Sequence, residues 1–188
     1  MIAVLLAAAF AWSGTLTVHY VNRSEDIDYS DVQRVGFVLN GDGSQKISWK
    51  LTETRLGSDS VPAPNGTIAE QILVTPKLTW TGVRDELQDR ITRLFAAAIA
   101  SQGHTFRWSF QAQASGLPAG DITVKASHKG FEWRYAETGS PFAIAAHGSG
   151  KMDTGSGALV AFEGDIDSMR IPGGDAQVTV GLSFKRES

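Results

Sequence analysis

VRDELQDRITRLFAAAIA, running from Val83 to Ala100, decides the fold class. Apolar residues recur at Val83, Leu87, Ile91, Leu94, Phe95 and Ala98. At about 100° per residue they cover a face roughly 120° wide, the stripe of a helix packed on a core. Thr81 offers an N-cap, and Asp85 and Glu86 sit in or near the first turn, where the helix dipole favours anions. Glu86 with Arg90 and Asp89 with Arg93 are i,i+4 pairs in the favourable order. Gly103 is placed to end the helix in a left-handed conformation. The first half of the segment carries too much charge to cross a bilayer. The small residues Ala96, Ala97 and Ala98 would let a sheet or a second subunit approach closely. The spacing predicts a single helix over 83–101. It is expected to lie as a lid on a sheet, with Leu87, Ile91, Leu94 and Phe95 buried against the aromatic strand that follows.

The rest of the chain reads as strand and turn. After the helix, Thr105–Ala112 alternates with Phe106, Trp108 and Phe110 on one face, and Phe131–Ala136 carries Phe131, Trp133 and Tyr135 on one face. Asp121–Ser127, Pro141–Ala146, Ala158–Ile166 and Gln177–Lys185 complete the second half. Before the helix, Thr15–Val21, Gln33–Asn40, Gln45–Thr54 and Ile68–Val74 alternate in the same way, and Asn40-Gly41-Asp42-Gly43 supplies hairpin turn chemistry. Leu56–Gly66 reads as a loop and a candidate binding lid. Gly148–Gly157 reads as a flexible Gly/Ser tip, and the crowding of glycine into the second half as frequent short turns. About nine or ten strands with turns at this rhythm indicate a mainly β chain. The expected fold is a β-rich α+β domain, an antiparallel sandwich or barrel with one central amphipathic helix.

A length of 188 residues suits one domain with a real core. A net charge of −3 without a basic cluster argues against nucleic acid as a partner. The absence of cysteine removes disulfides, thiolate metal sites and a cysteine nucleophile, and fits a bacterial or phage protein. Ile2–Trp12 is an apolar run too short to span a bilayer but of signal-peptide length, with Ala9-Phe10-Ala11 resembling a cleavage site. No lysine or arginine precedes Arg23, so a basic leader region is missing. Residues 1–13 are therefore expected to be a signal peptide or an apolar N-terminal arm, and 14–188 a single β-rich domain.

No local motif specifies a reaction or names a family. His147-Gly148-Ser149-Gly150-Lys151 lacks the residues a phosphate-binding loop needs at its two ends. Glu163, Asp165 and Asp167 share one strand parity, opposite to Val160, Phe162 and Ile166, so the acids are expected to face water. They, or the acidic turn Glu25, Asp26, Asp28 and Asp31, could collect calcium, but no EF-hand spacing is present and no cofactor is required. His19, His104, His128 and His147 show no metal-ligand spacing. The aromatic faces offer the best candidate ligand wall: Phe106, Trp108, Phe110, Trp133 and Tyr135. The expected function is a non-catalytic β-rich binding or structural protein, exported to the periplasm or cell envelope. Its partner would be a small ligand or a protein, with self-association as a further expectation. A structural subunit of a phage particle, located in the virion, is the alternative. A hydrolase or lyase whose site assembles only in the fold is the third.

Overall fold

The computed structural model describes residues 9–64, 70–80, 86–112, 118–140, 143–170 and 177–187. Thr81, Val83 and Asp85 lie outside the described residues, as does most of the apolar leader. In chain order the elements are β1 (Phe10–Asn22), β2 (Ile27–Leu39), β3 (Gln45–Leu56), β4 (Asp59–Pro62), β5 (Glu70–Val74), α1 (Glu86–Ser101), β6 (Phe106–Phe110), β7 (Ala119–Ser127), β8 (Gly130–Thr138), β9 (Ala145–Met152), β10 (Leu159–Arg170) and β11 (Gln177–Arg186).

The chain is mainly β with one helix among the described residues, as its patterning indicates. The strands form a single 11-stranded sheet in the order β4-β3-β2-β1-β11-β10-β9-β8-β7-β6, with β5 also paired to β3. Every pairing is antiparallel. The first and last strands meet in the middle of this sheet, Leu16 opposite Phe184 and Val18 opposite Leu182. From that seam the N-terminal strands build outward in one direction and the C-terminal strands in the other. α1 joins β5 at one extremity to β6 at the opposite one, so it must cross the mouth between them.

The sheet is not closed; the helix occupies the gap. On one side of α1, Gln45 Nε2 in β3 donates to the Ala96 carbonyl at 3.3 Å. On the other, Arg90 reaches Glu137 in β8 and the Arg93 guanidinium lies 4.1 Å from the centre of the Phe110 ring in β6. Trp80, just after β5, meets Trp108 of β6 with ring centroids 5.8 Å apart. Side chains thus link the two edges where backbone ladders do not.

Burial of the helix goes beyond a lid. Leu87, Ile91, Leu94, Phe95 and Ala98 are buried as the spacing predicts, but so are Asp89, Arg90, Thr92, Arg93 and every residue from Ala96 to Ile99. The helix is a pillar enclosed by a curved sheet. Phe95 has no exposed surface and touches Phe37, Trp49, Phe162 and Phe184 at centroid distances of 5.3, 5.7, 5.2 and 5.6 Å. Its contacts therefore lie with β2, β3, β10 and β11. The aromatic strand β6 instead receives Arg93, which corrects the packing expected of Phe95. The helix ends at Gln102 and Gly103, both with positive φ (50° and 77°).

Glycine placement also departs from expectation. Gly148 and Gly150 belong to β9, and only the residues between Met152 and Leu159 form the turn. The cause is packing on the concave face. A Cβ at Gly148 would fall 2.6 Å from Trp133 Cζ2, and one at Gly120 2.7 Å from Phe110 Cζ. Gly164 likewise lies under the Trp133 indole, Gly150 under Phe131 and Gly14 under Phe184. These glycines are the floor on which the large rings of neighbouring strands lie. The Leu56–Gly66 stretch also contains a strand, because Asp59–Pro62 pairs back onto Glu53–Leu56. Ile171–Asp175, whose Pro-Gly-Gly sequence is turn chemistry, lies outside the described residues.

Phe95→Ala is expected to cost about 3–5 kcal/mol, as for a fully buried aromatic. Gly148→Ala should also destabilise, since Trp133 and the Glu163 carbonyl occupy the space its methyl needs. Urea unfolding of both variants checks this; a Phe95→Ala cost under about 1 kcal/mol would disprove the pillar packing.

Candidate functional site

The aromatic residues singled out in the sequence all sit on the concave side. Trp133 is stacked on Phe162 at 4.8 Å, and its indole N–H donates to the Ser149 and Glu163 carbonyls. Phe110 is buried against Tyr135 at 5.5 Å and Trp108 at 5.4 Å. Phe106 and Trp108 are half-buried at the β6 edge. Three of the five candidates, Phe110, Trp133 and Tyr135, are thus wholly engaged in core packing.

Beside them lies a buried polar chain. Glu137 accepts from Arg90 Nε at 2.8 Å, Arg90 Nη2 at 3.0 Å, the Tyr135 hydroxyl at 2.7 Å and the Ile144 backbone N–H at 3.1 Å. Arg90 Nη1 also donates to Glu86 at 3.0 Å. Asp89 accepts from Arg93 Nε at 2.7 Å and from the Trp80 indole N–H at 2.8 Å. Arg93 Nη1 and Nη2 have no hydrogen-bond partner among the described residues, and the guanidinium lies against the Phe110 face, an arrangement of cation–π type. Burial works against the Arg90 charge, but the hydrogen bonds and charge of Glu137 outweigh it and push the guanidinium pKa up. Burial first, and then the Glu137 carboxylate, push the Tyr135 phenol well above its usual value near 10. The two i,i+4 pairs foreseen on the helix both form, Glu86–Arg90 and Asp89–Arg93, but their arginines sit in the interior instead of in water. Each charge there has an opposite partner, so the network holds the helix in place.

The convex face carries the open site. No helix covers it among the described residues, and a groove of about 720 Å³ runs across β1, β11, β10, β9 and β8. Register builds it. His19 lies opposite Gly181, Gly181 opposite Asp165, Asp165 opposite His147 and His147 opposite Arg134. The adjacent row on the same face is Thr17, Ser183, Glu163, Ser149 and Glu132. Neighbouring strands are about 4.8 Å apart, so side chains adjacent in one row lie within reach of each other. The Ser149 hydroxyl donates to Glu163 at 2.9 Å, and His19 Nε2 pairs with Asp28 Oδ1 at 2.8 Å.

Gly181 forms the floor of this groove. A Cβ there would lie 3.6 Å from Asp165 Oδ1 and 3.7 Å from His19 Cβ, ordinary van der Waals spacing. Each of the other described strand glycines has a neighbour closer than 3.0 Å to such a Cβ, a positive φ, or both. Gly181 therefore has free space for a side chain, whereas even Gly36 is faced by the Ser48 hydroxyl, which would have to turn away. Glu163 and Asp165 face water as their parity indicates. The meeting of His19, Asp165, His147 and Arg134 was not legible, because they come from four strands spread over residues 10–170. The signal that does exist is Gly181 itself, a lone glycine inside the alternating pattern Val178, Val180, Leu182, Phe184. Among the described residues no three histidine or acidic side chains are grouped to hold a metal ion. Compared with protein-family models, curated proteins and solved structures, the chain matches none.

The Tyr135 shift predicts alkaline sensitivity. Its folded pKa lies above the unfolded value, so the folded state holds the extra proton. The stability this contributes is fully present below about pH 10 and is lost as pH rises above it. Tyr135→Phe should flatten that loss, read as the pH dependence of the urea midpoint between pH 9 and 11.5, roughly spanning the free phenol's titration. An unchanged alkaline slope would show that Tyr135 does not govern it.

Proposed function

We propose that the protein is a non-catalytic binding protein of the bacterial envelope, exported, with its ligand surface in the convex groove over Gly181. The observation that carries this reading is the groove's composition. His19 and Asp165 flank a glycine for which packing supplies no reason, and His147, Arg134 and Glu132 extend the polar lining across the strands beyond Asp165. A strand glycine that could carry a side chain forgoes up to about 1 kcal/mol of stability. Close approach of another molecule to the backbone accounts for such a position.

The absence of a catalytic role is argued from the same geometry. His147 does lie beside Asp165 and one row from Ser149, as a hydrolase reading would need. These residues sit on interior strands, where backbone N–H groups are spent in ladders on both sides. Acyl transfer needs free donors aimed at the developing oxyanion, and the open convex face excludes no water. Export is supported by the Ile2–Trp12 run and the Ala9-Phe10-Ala11 pattern. Phe10 and Ala11 pair with Leu39 and Val38 at the start of β1, and Trp12 stacks on Phe37 at 5.1 Å. A chain processed after Ala11 would keep the Trp12 contact.

A phage structural subunit is the second reading. The observation favouring it is the unclosed sheet, whose edges at β4, β5 and β6 are templates for pairing with a neighbour. A strict monomer at high concentration by light scattering would count against it.

Gly181→Val is the direct test. It should leave the fold intact and raise the urea midpoint modestly, because a β-branched residue suits a strand. In NMR titrations with a panel of small polar amines, acids and sugars, ligand-induced shifts are expected at residues 19, 147, 165 and 181 of the wild type and not in the variant. Binding that maps elsewhere would overturn the site. For export, intact-mass analysis of protein from the native host should show loss of Met1 and the apolar residues behind it; a mature chain retaining Met1 would sink that part.

A further inference from the structure

We infer that the groove takes a ligand bearing an alkylammonium group, seated over Gly181 against Asp165 and Glu163; this rests on the reading of the groove as the ligand surface. Four observations point to that class. The first is charge: Glu132, Glu163 and Asp165 line the groove against one permanent cation, Arg134. An anionic ligand would meet repulsion from three carboxylates.

The second is position. Asp165 Oδ1 is the nearest atom to the space a Gly181 side chain would fill, so the hollow opens directly onto a carboxylate oxygen. Glu163 follows two residues along the same strand face, about 7 Å away, and the Ser183 and Ser149 hydroxyls flank it in the register. An ammonium group has three donors and no acceptor, and carboxylate and hydroxyl oxygens are what it needs.

The third is the lack of compensation. Among the described residues the Glu163 carboxylate receives one hydrogen bond, from Ser149, and no ion pair joins Glu163 or Asp165 to a cation. Covering two uncompensated carboxylates with a neutral molecule removes their water and returns little. Covering them with a cation replaces that water by charge-assisted hydrogen bonds.

The fourth is the lining. The outward-facing side chains of the groove include no phenyl, phenol or indole ring; its tryptophan, Trp133, points into the core. A sugar would find only the small imidazoles of His19 and His147 and no broad ring to stack on. The bare backbone at Gly181 admits a slim alkyl chain between His19 and Asp165. The same group can come from a free polyamine or from a lysine side chain in a peptide.

Isothermal titration of the full chain with spermidine, and separately with an end-blocked Gly-Lys-Gly peptide, tests this at low ionic strength. At least one is expected to bind, and which one identifies the source of the amine. Asp165→Asn should weaken that binding by about tenfold or more, the loss expected for a charge-assisted hydrogen bond, whereas Asp59→Asn, an equal charge change on distant β4, should not. The norleucine counterpart of the peptide should not bind. Failure of both probes to bind, or equal effects of Asp165→Asn and Asp59→Asn, would overturn the ammonium assignment. A neutral or anionic compound that binds the wild type but not Gly181→Val would overturn it too, while leaving the groove as the ligand surface. Amine binding indifferent to Gly181→Val would remove the groove and this inference together.

Discussion

Glu137 is held at four points inside the molecule, and the placement of the helix depends on it. It stands on β8, in the C-terminal limb of the sheet, while Arg90 stands on α1. An unclosed sheet of eleven strands has no ladder to join its two outer edges, so contacts through the helix must do so. The interior favours a charge only when it is paired and its remaining hydrogen-bonding capacity is met. Glu137 satisfies both conditions with the guanidinium, the Tyr135 hydroxyl and the Ile144 N–H. Asp89 satisfies them with Arg93 and Trp80, at the place where Trp80 and Trp108 bring the two edges together. A buried ion pair need not be more stable than a hydrophobic substitute, but it fixes which residues face which, and here it fixes the rotation of the helix between the two limbs.

That rotation determines which surface remains for function. With the helix filling the concave side, the large rings of β8, β10 and β11 pack on it and on the glycines between them. The interior is consumed by the core. The convex side then carries the exposed polar rows, and register alone decides which of those side chains meet.

Strand phase was legible in the sequence because alternation with a period of two is strict in the long strands. Phe131, Trp133 and Tyr135 share the concave face, and Val178, Val180, Leu182 and Phe184 likewise. The helix was legible for the same reason at a period near 3.6. Its environment was not, since Asp89, Arg90 and Arg93 form i,i+4 pairs that read identically on a wet surface and in a core. Only partners distant in sequence, Glu137 and Phe110, separate the two cases. Gly148 and Gly150 were misread as part of a flexible tip because composition counts residues without asking what lies above them. Gly148 sits beneath a tryptophan that arises 15 residues earlier and Gly150 beneath a phenylalanine 19 residues earlier. The groove was illegible for a related reason: His19, Asp165, His147 and Arg134 are unremarkable singly, and only the order β1-β11-β10-β9-β8 sets them side by side.

Gly181 separates structural from functional use of glycine within a single sheet. Where Gly14, Gly120, Gly148, Gly150 and Gly164 occur, a larger residue would collide with a ring or a carbonyl, so packing accounts for the choice. At Gly181 the nearest atoms stand at ordinary contact distance, φ is outside the left-handed region, and β-branched residues would serve an interior strand better. Folding energetics therefore predict a side chain at this position, and the chain lacks one at the very point where an unpaired carboxylate leans over the backbone. Local rules are broken most informatively where the rest of the molecule obeys them, and such positions are where function is to be sought. In this molecule the exception lies in the convex groove, on β11, next to the seam where β1 and β11 pair.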